Sequence, residues 1–103
     1  MKIKFDNDEL ESFYSGVGLK RKLKFDIKVI KRYRDRIDLM KQCDHTQQLR
    51  AFKALHFEKL SGNRSGHYSI AVDYNYRIIF SIHHGELKIN EIILIEELSN
   101  HYQ

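Results

Sequence analysis

The chain has 103 residues, 42% of them apolar and 31% charged, with a formal net charge of +4 and a single cysteine. That suffices for one folded domain, residues 1–103, with a sizeable core, and it excludes a disordered polyelectrolyte. No apolar run approaches bilayer-spanning length, Met1-Lys2-Ile3-Lys4-Phe5 lacks the apolar segment of a secretory leader, and Cys43 has no internal disulfide partner, so a cytoplasmic protein is expected.

Met1 to Phe5 alternates, Ile3 and Phe5 against Lys2 and Lys4, and predicts a short edge strand with its lysines outward. Asp8 and Glu11 have the spacing of a capping box. Leu10, Phe13 and Tyr14 then share one face of a short helix that Gly16 and Gly18 end. Gly16-Val17-Gly18 is too short for a phosphate loop. A longer helix is expected from about Asp26 to Cys43, with Val29, Ile30, Tyr33, Ile37 and Met40 in one apolar stripe. Basic residues occupy the rest. Residues 20 to 36 hold Lys20, Arg21, Lys22, Lys24, Lys28, Lys31, Arg32, Arg34 and Arg36 against Asp26 and Asp35, nine basic and two acidic, for a local charge of +7. Such a segment reads either as a solvated helix face or as a surface for a polyanion or an acidic protein. Asp44, His45 and Thr46 break the helix, and a helical turn is expected over Gln47 to Phe52.

The stretch Leu55 to Ile95 carries most of the sheet. Leu55 to Leu60 reads as its first strand and Ser61 to Gly66 as a loop. His67 to Asp73 and Tyr76 to His83 alternate, with Tyr68, Ile70 and Val72, then Tyr76, Ile78, Phe80 and Ile82, on one side. Asp73-Tyr74-Asn75 is a tight turn in which asparagine tolerates left-handed backbone, and His84-Gly85 turns the chain into Leu87 to Ile95. Short connections make these neighbours antiparallel. The fold class is therefore α+β, a short N-terminal strand and two helices packed on an antiparallel sheet completed by a C-terminal meander. Arg77 lies on the side away from Ile78 and Phe80, either as a solvated residue or as a placed cation.

No Gly-x-Ser-x-Gly elbow, Walker loop or dinucleotide fingerprint is present, and no histidine or cysteine pair has structural-zinc spacing; neither metal nor cofactor is expected. What remains is a polar set near the sheet: His56 and Glu58 on one strand face, Lys59, Arg64 in the loop, Arg77, and the tail Ser99-Asn100-His101-Tyr102. Histidine, glutamate, lysine and tyrosine serve as general acids or bases, and arginine clamps phosphates. The assortment suits phosphodiester cleavage, in which a base deprotonates an attacking hydroxyl and a cation stabilises the charged transition state. Taken singly, His56 reads as a half-buried strand residue, Glu58 and Lys59 as solvent-facing, Arg64 as a loop cation and the tail as frayed.

Leu60-Ser61-Gly62-Asn63-Arg64-Ser65-Gly66-His67-Tyr68-Ser69-Ile70, followed by Tyr76-Arg77-Ile78-Ile79-Phe80, resembles the HigB-like branch of the RelE/ParE toxin superfamily. That branch shows Leu-Lys-Gly, an Asp-Arg-x-Gly loop, an aromatic-Trp/Tyr-Ser-Ile strand and a Trp/Tyr-Arg-Ile-x-Phe strand. The match is strong over residues 55 to 83, and elsewhere follows element order and length. It implies a RelE-like toxin of a bacterial type II toxin–antitoxin pair. Such a toxin is a ribosome-dependent mRNA endonuclease restrained by an antitoxin that often carries a helix-turn-helix domain. Arg77 falls on the family's strand arginine and Arg64 on its loop arginine. The family's histidine before Leu-Lys-Gly falls on Glu58 by strict alignment and on His56 with a two-residue slip. Its lysine is Ser61 here, with Lys59 close by. Its terminal Asp-Tyr-His is replaced by Asn100-His101-Tyr102, making His101 the counterpart of the terminal histidine.

The resemblance implies attack by the RNA 2′-hydroxyl without a metal, with the base drawn from Glu58, His56 or His101. Arg77, with Lys59 or Arg64, would stabilise the transition state, and His101 or Tyr102 would assist the leaving oxygen. Lys20, Arg21, Lys22, Lys24, Lys28, Lys31 and Arg32 would grip ribosomal RNA. Two other readings belong to different classes: a ParE-like toxin that poisons DNA gyrase, a branch that generally lacks such histidine and acid residues, and a decayed toxin that only binds its antitoxin.

Overall fold

The structure, a computed structural model, describes residues 1–18, 24–86 and 90–100. In chain order these form β1 (Lys2–Phe5), α1 (Asp8–Ser15) and α2 (Ile27–Gln42). Two 3-10 turns follow, Thr46–Ala51 and Lys53–Leu55, then β2 (Glu58–Lys59) and a third turn (Gly62–Arg64). The chain ends in β3 (Tyr68–Ala71), β4 (Tyr76–His84) and β5 (Glu91–Asn100).

The helices start and stop where local hydrogen bonding dictates. The cap of α1 is Asn7, not the expected Asp8: its Oδ1 accepts from the Leu10 amide at 2.9 Å, and Asp8, Glu9 and Glu11 occupy the first turn, where carboxylates complement the dipole. Gly16 ends α1 in a left-handed conformation that glycine adopts without penalty. α2 is capped by Asp26, whose Oδ1 accepts from the Lys28 amide at 2.8 Å. Its stripe of Val29, Ile30, Tyr33, Ile37 and Met40 is buried as the periodicity predicts. Tyr33 donates to the Leu10 carbonyl at 2.8 Å and so locks α2 to α1, and burial pushes its phenol above the ordinary range.

The sheet has the order β1-β5-β4-β3-β2. β2 through β5 pair antiparallel as the meander predicts. At the far edge β1 joins β5 in parallel, Ile3 opposite Ile93, which makes the sheet mixed; the long chain between them supplies the crossover that a parallel pair requires. The Met1 ammonium donates to the carbonyls of Met40, Lys41 and Cys43 at the end of α2, where a cation offsets the negative dipole end. Ile70, Val72, Ile78, Phe80, Ile93, Ile95 and Leu98 are buried with the helix stripe in one core. Their alternation leaves Ser69, Ala71, Arg77, Ile79, Ser81 and His83 on the opposite, open face.

Local details depart from the expected strands. Leu55 to Leu60 is not one strand: Leu55 closes a 3-10 turn, His56 takes φ 45° and ψ 51°, and only Glu58–Lys59 pair with β3. Burial of Leu55 in the core pulls the chain inward before the strand begins. The β3–β4 turn is held by the Asp73 carboxylate, which accepts from the amides of Asn75 and Tyr76, both at 2.8 Å. Left-handed backbone at Asn75 is not used; among the described non-glycine residues only His56 has positive φ. β5 starts at Glu91 and runs through Ser99 and Asn100, which therefore belong to the sheet and not to a frayed tail; Asn100 lies opposite Tyr76. Leu87, expected to open that strand, lies outside the described residues. Ile79 faces Glu97 while Phe80 faces Ile95, so Glu96 is the extra residue of a bulge.

Candidate functional site

Arg77 is the centre of the open face. Its register partners are Ala71 on β3 and Ser99 on β5, both small, so the guanidinium lies along the sheet toward β2. Nη1 pairs with Glu58 Oε2 at 3.0 Å, and Nη2 donates to the His56 carbonyl at 2.9 Å. Its Nε is buried and has no partner among the described residues. The Arg77 side chain is 15% exposed and that of Glu58 56%: a fixed cation beside a solvent-facing carboxylate. The left-handed turn at His56 aims that residue's carbonyl at Arg77. Positive φ is strained for most residues, though histidine tolerates it better than most.

The same turn peels the chain off the edge of β3 and opens a cleft of about 580 Å³. It is lined by Arg77, Glu58 and His56, by Arg32 and Arg36 of α2, and by Asp73 and Tyr74 of the hairpin. Arg36 covers the bare strand edge, Nε donating to the Ala71 carbonyl at 3.0 Å and Nη2 to that of Val72 at 3.5 Å. Burial, and after it the nearby charge of Arg32, pull the Arg36 guanidinium below its usual value.

A second polar strip crosses β3, β4 and β5. The bulge turns consecutive glutamates onto the open face. Glu97 pairs with Arg64 at 3.0 Å, and Glu96 with His67 Nε2 at 2.9 Å. Ser81 Oγ and His83 Nε2 lie 2.9 Å apart beside them. Burial of the Glu96 carboxyl opposes ionisation, but hydrogen bonds from Ser81 and His67 and the charges of His67 and His83 outweigh it, so the group titrates below the ordinary glutamate range.

Of the residues singled out from sequence, Arg77, Glu58, His56 and Arg32 meet at the cleft. His56 does so through its backbone carbonyl and not as a strand residue sharing a face with Glu58, because the left-handed turn ends before β2 begins. Lys59 is opposite Tyr68 and Glu58 opposite Ser69, so period two puts Lys59 on the other face of β2, away from Arg77. Arg64 is on the open face but tied to Glu97. Lys24, Lys28 and Lys31 are exposed, the last two on α2 one turn apart. Lys20, Arg21, Lys22, His101 and Tyr102 lie outside the described residues. The residues that sequence reading passed over are Arg36, His67, Glu96 and Glu97. The adjacent glutamates were the available signal, since two like residues in an alternating strand mark a bulge. Among the described residues, no group of three or more His, Cys, Asp or Glu side chains is placed to hold a metal, and no helix is long and apolar enough to cross a membrane.

Comparisons with known proteins follow the same lines. The family model described as HigB-like toxin, the RelE-like toxin of type II toxin–antitoxin system HigB, matches residues 3–94. No curated protein sequence matches significantly. Among solved structures, a YoeB/ParE toxin from Agrobacterium tumefaciens is similar with a TM-score of 0.60 at 16% identity, covering 99% of this chain and 100% of that one. The YoeB-YefM complex from Staphylococcus aureus matches with a TM-score of 0.57 at 20% identity, over 99% and 98% of the two chains. A heterotetrameric YoeB-YefM complex from the same organism gives 0.51 at 22%, again over 99% and 98%. At these identities the likeness is one of fold.

Proposed function

The chain belongs to the HigB-like family, RelE-like toxins of type II toxin–antitoxin systems, and we propose that it is an endoribonuclease cutting mRNA on the ribosome with Arg77 as its transition-state cation. The observation that carries this reading is the fixed guanidinium of Arg77, held by Glu58 and the His56 carbonyl at the mouth of an arginine-lined cleft.

Cleavage proceeds by attack of the ribose 2′-hydroxyl on the adjacent phosphorus, forming a 2′,3′-cyclic phosphate and expelling the 5′-oxygen. Glu58 takes the 2′-hydroxyl proton: one oxygen holds Arg77, and no described residue takes the other. Arg77 meets the charge that grows on the phosphoryl oxygens, its geometry set in advance so that no reorganisation accompanies the reaction. Protonation of the leaving oxygen falls to the imidazole of His56 or to His101 or Tyr102, the last two lying outside the described residues. The nucleophile is supplied by the RNA, so the scheme uses no cofactor. Lys24, Lys28 and Lys31 present positive charge to ribosomal RNA, an attraction that weakens with salt. The S. aureus neighbours were solved with an antitoxin, and a cognate antitoxin is the proposed restraint here, masking the basic helix with acidic residues.

The test is induced expression of wild type and Arg77→Ala, followed by growth measurement and primer extension on several transcripts. Cuts within translated regions that vanish in Arg77→Ala are expected. Growth arrest with intact mRNA and broken DNA would replace this reading with a gyrase poison.

A further inference from the structure

The cleft extends well past the residues the cleavage scheme uses. Arg32 and Arg36 stand at positions i and i+4 of α2, where like charges repel and destabilise a helix, and the charge of Asp35 offsets that repulsion at Arg36 only in part. Arg36 has a structural duty at the β3 edge. Arg32 has none: among the described residues, no carboxylate pairs with it and it makes no hydrogen bond. In the same lining, Tyr74 at the hairpin tip is 80% exposed, an aromatic surface where a turn residue is ordinarily small or polar. Cations and an aromatic ring lining one cleft are the two elements of a single-stranded nucleic-acid groove, and the volume is in the range that small ligands occupy.

We propose that this half of the cleft is a second nucleotide subsite, in which Arg32 and Arg36 hold the phosphate next to the scissile one while its base stacks on Tyr74. The proposal rests on the ribonuclease reading. An extended peptide is the less fitting occupant, because the backbone carbonyls it would pair with at Ala71 and Val72 are already taken by Arg36. Stacking of this kind accepts any base, so the subsite contributes affinity and register more than codon choice.

A fluorescent 2′-deoxy trinucleotide, which lacks the attacking hydroxyl and cannot be cut, is titrated into the purified protein and followed by anisotropy. Tyr74→Ala is expected to weaken binding roughly tenfold and Tyr74→Phe hardly at all. Arg32→Ala is expected to weaken it by a similar factor and to lower the salt slope by about 0.7, the value for one phosphate on a single strand. Lys2→Ala, equal in charge change and on the far edge of the sheet, is the control. The proposal is overturned if wild type does not bind the trinucleotide, if Arg32→Ala does no more than Lys2→Ala, or if an abasic strand binds as tightly as an intact one. It is also overturned if a hexaglutamate peptide outcompetes the trinucleotide regardless of Tyr74, which would make the cleft a protein-docking site. None of these readings depends on cleavage. Loss of the ribonuclease assignment in cells with trinucleotide binding intact, or the reverse, therefore separates the two ideas.

Discussion

Replacing Arg77 separates catalysis from stability more sharply than any other change. Arg77→Ala removes one ion pair with a carboxylate that is more than half exposed and one hydrogen bond to a backbone carbonyl. Solvent screens the first, so together they contribute only about 1–2 kcal/mol to folding. On a domain of this size that lowers Tm by roughly 4–15 °C. The transition state loses more: withdrawing a preorganised donor from a developing oxyanion slows cleavage by about 10²–10³-fold. Arg77→Lys refines the comparison. An ammonium keeps the charge, yet a single nitrogen cannot hold Glu58 and the His56 carbonyl in the geometry of the planar fork, and most of the rate is lost while most of the stability remains. The assay is cleavage of a reporter transcript in a reconstituted translation system, with thermal unfolding measured on the same preparations. Wild-type cleavage by Arg77→Lys, or loss of cleavage by Arg77→Ala only in proportion to the fraction unfolded, would refute the role given to this arginine.

Other perturbations test neighbouring features. Tyr33→Phe removes the hydroxyl that ties α2 to the Leu10 carbonyl and is expected to cost about 1 kcal/mol, read from chemical denaturation, with cleavage unchanged. His56→Gly relieves a left-handed backbone and is expected to stabilise by about 1 kcal/mol; if cleavage also survives, the imidazole is neither acid nor base and the carbonyl alone matters. Glu96 titrates below its ordinary value, so its contribution is full above the unfolded carboxyl pKa and disappears as pH falls through the folded one. Between roughly pH 5 and pH 3, wild type is therefore expected to lose more stability than Glu96→Gln, and parallel curves would dismiss the His67 and Ser81 contacts as inconsequential.

The fold was largely legible because its signals are periodic. Period 3.6 placed α2 and its buried stripe, and period two placed Arg77 on the face away from Ile78 and Phe80. What escaped depended on contacts between segments far apart in the chain. Nothing local announces that β1 will lie parallel to β5, since that pairing is decided by how the helices cover the sheet. His56 looked like strand because its neighbours are apolar; burial of Leu55 bends the chain there instead. The cleft drew half of its lining from α2 and the β3–β4 hairpin, which the sequence separates widely. Arg36 looked like one more solvated cation until the bare edge of β3 showed what it covers. Glu58 was recognisable as a candidate acid or base by residue type before any resemblance, but its contact with Arg77 emerged only from the register of β2 on β3.

The placement of β5 between the first strand and β4 has a consequence for synthesis. A nascent chain that has emerged only as far as β4 holds two helices and a hairpin, but β1 has no neighbour and the apolar side of Ile78 and Phe80 has no strand closing it beside the helices. Joining Ile3 to Ile93 closes a loop of almost the entire chain, an entropic barrier met late and in a single step. The open face with its ion pairs to Glu96 and Glu97 is completed only by that last strand. A sheet built this way closes only after β5 has been made, so the ion pairs of the open face form together with the last strand to join.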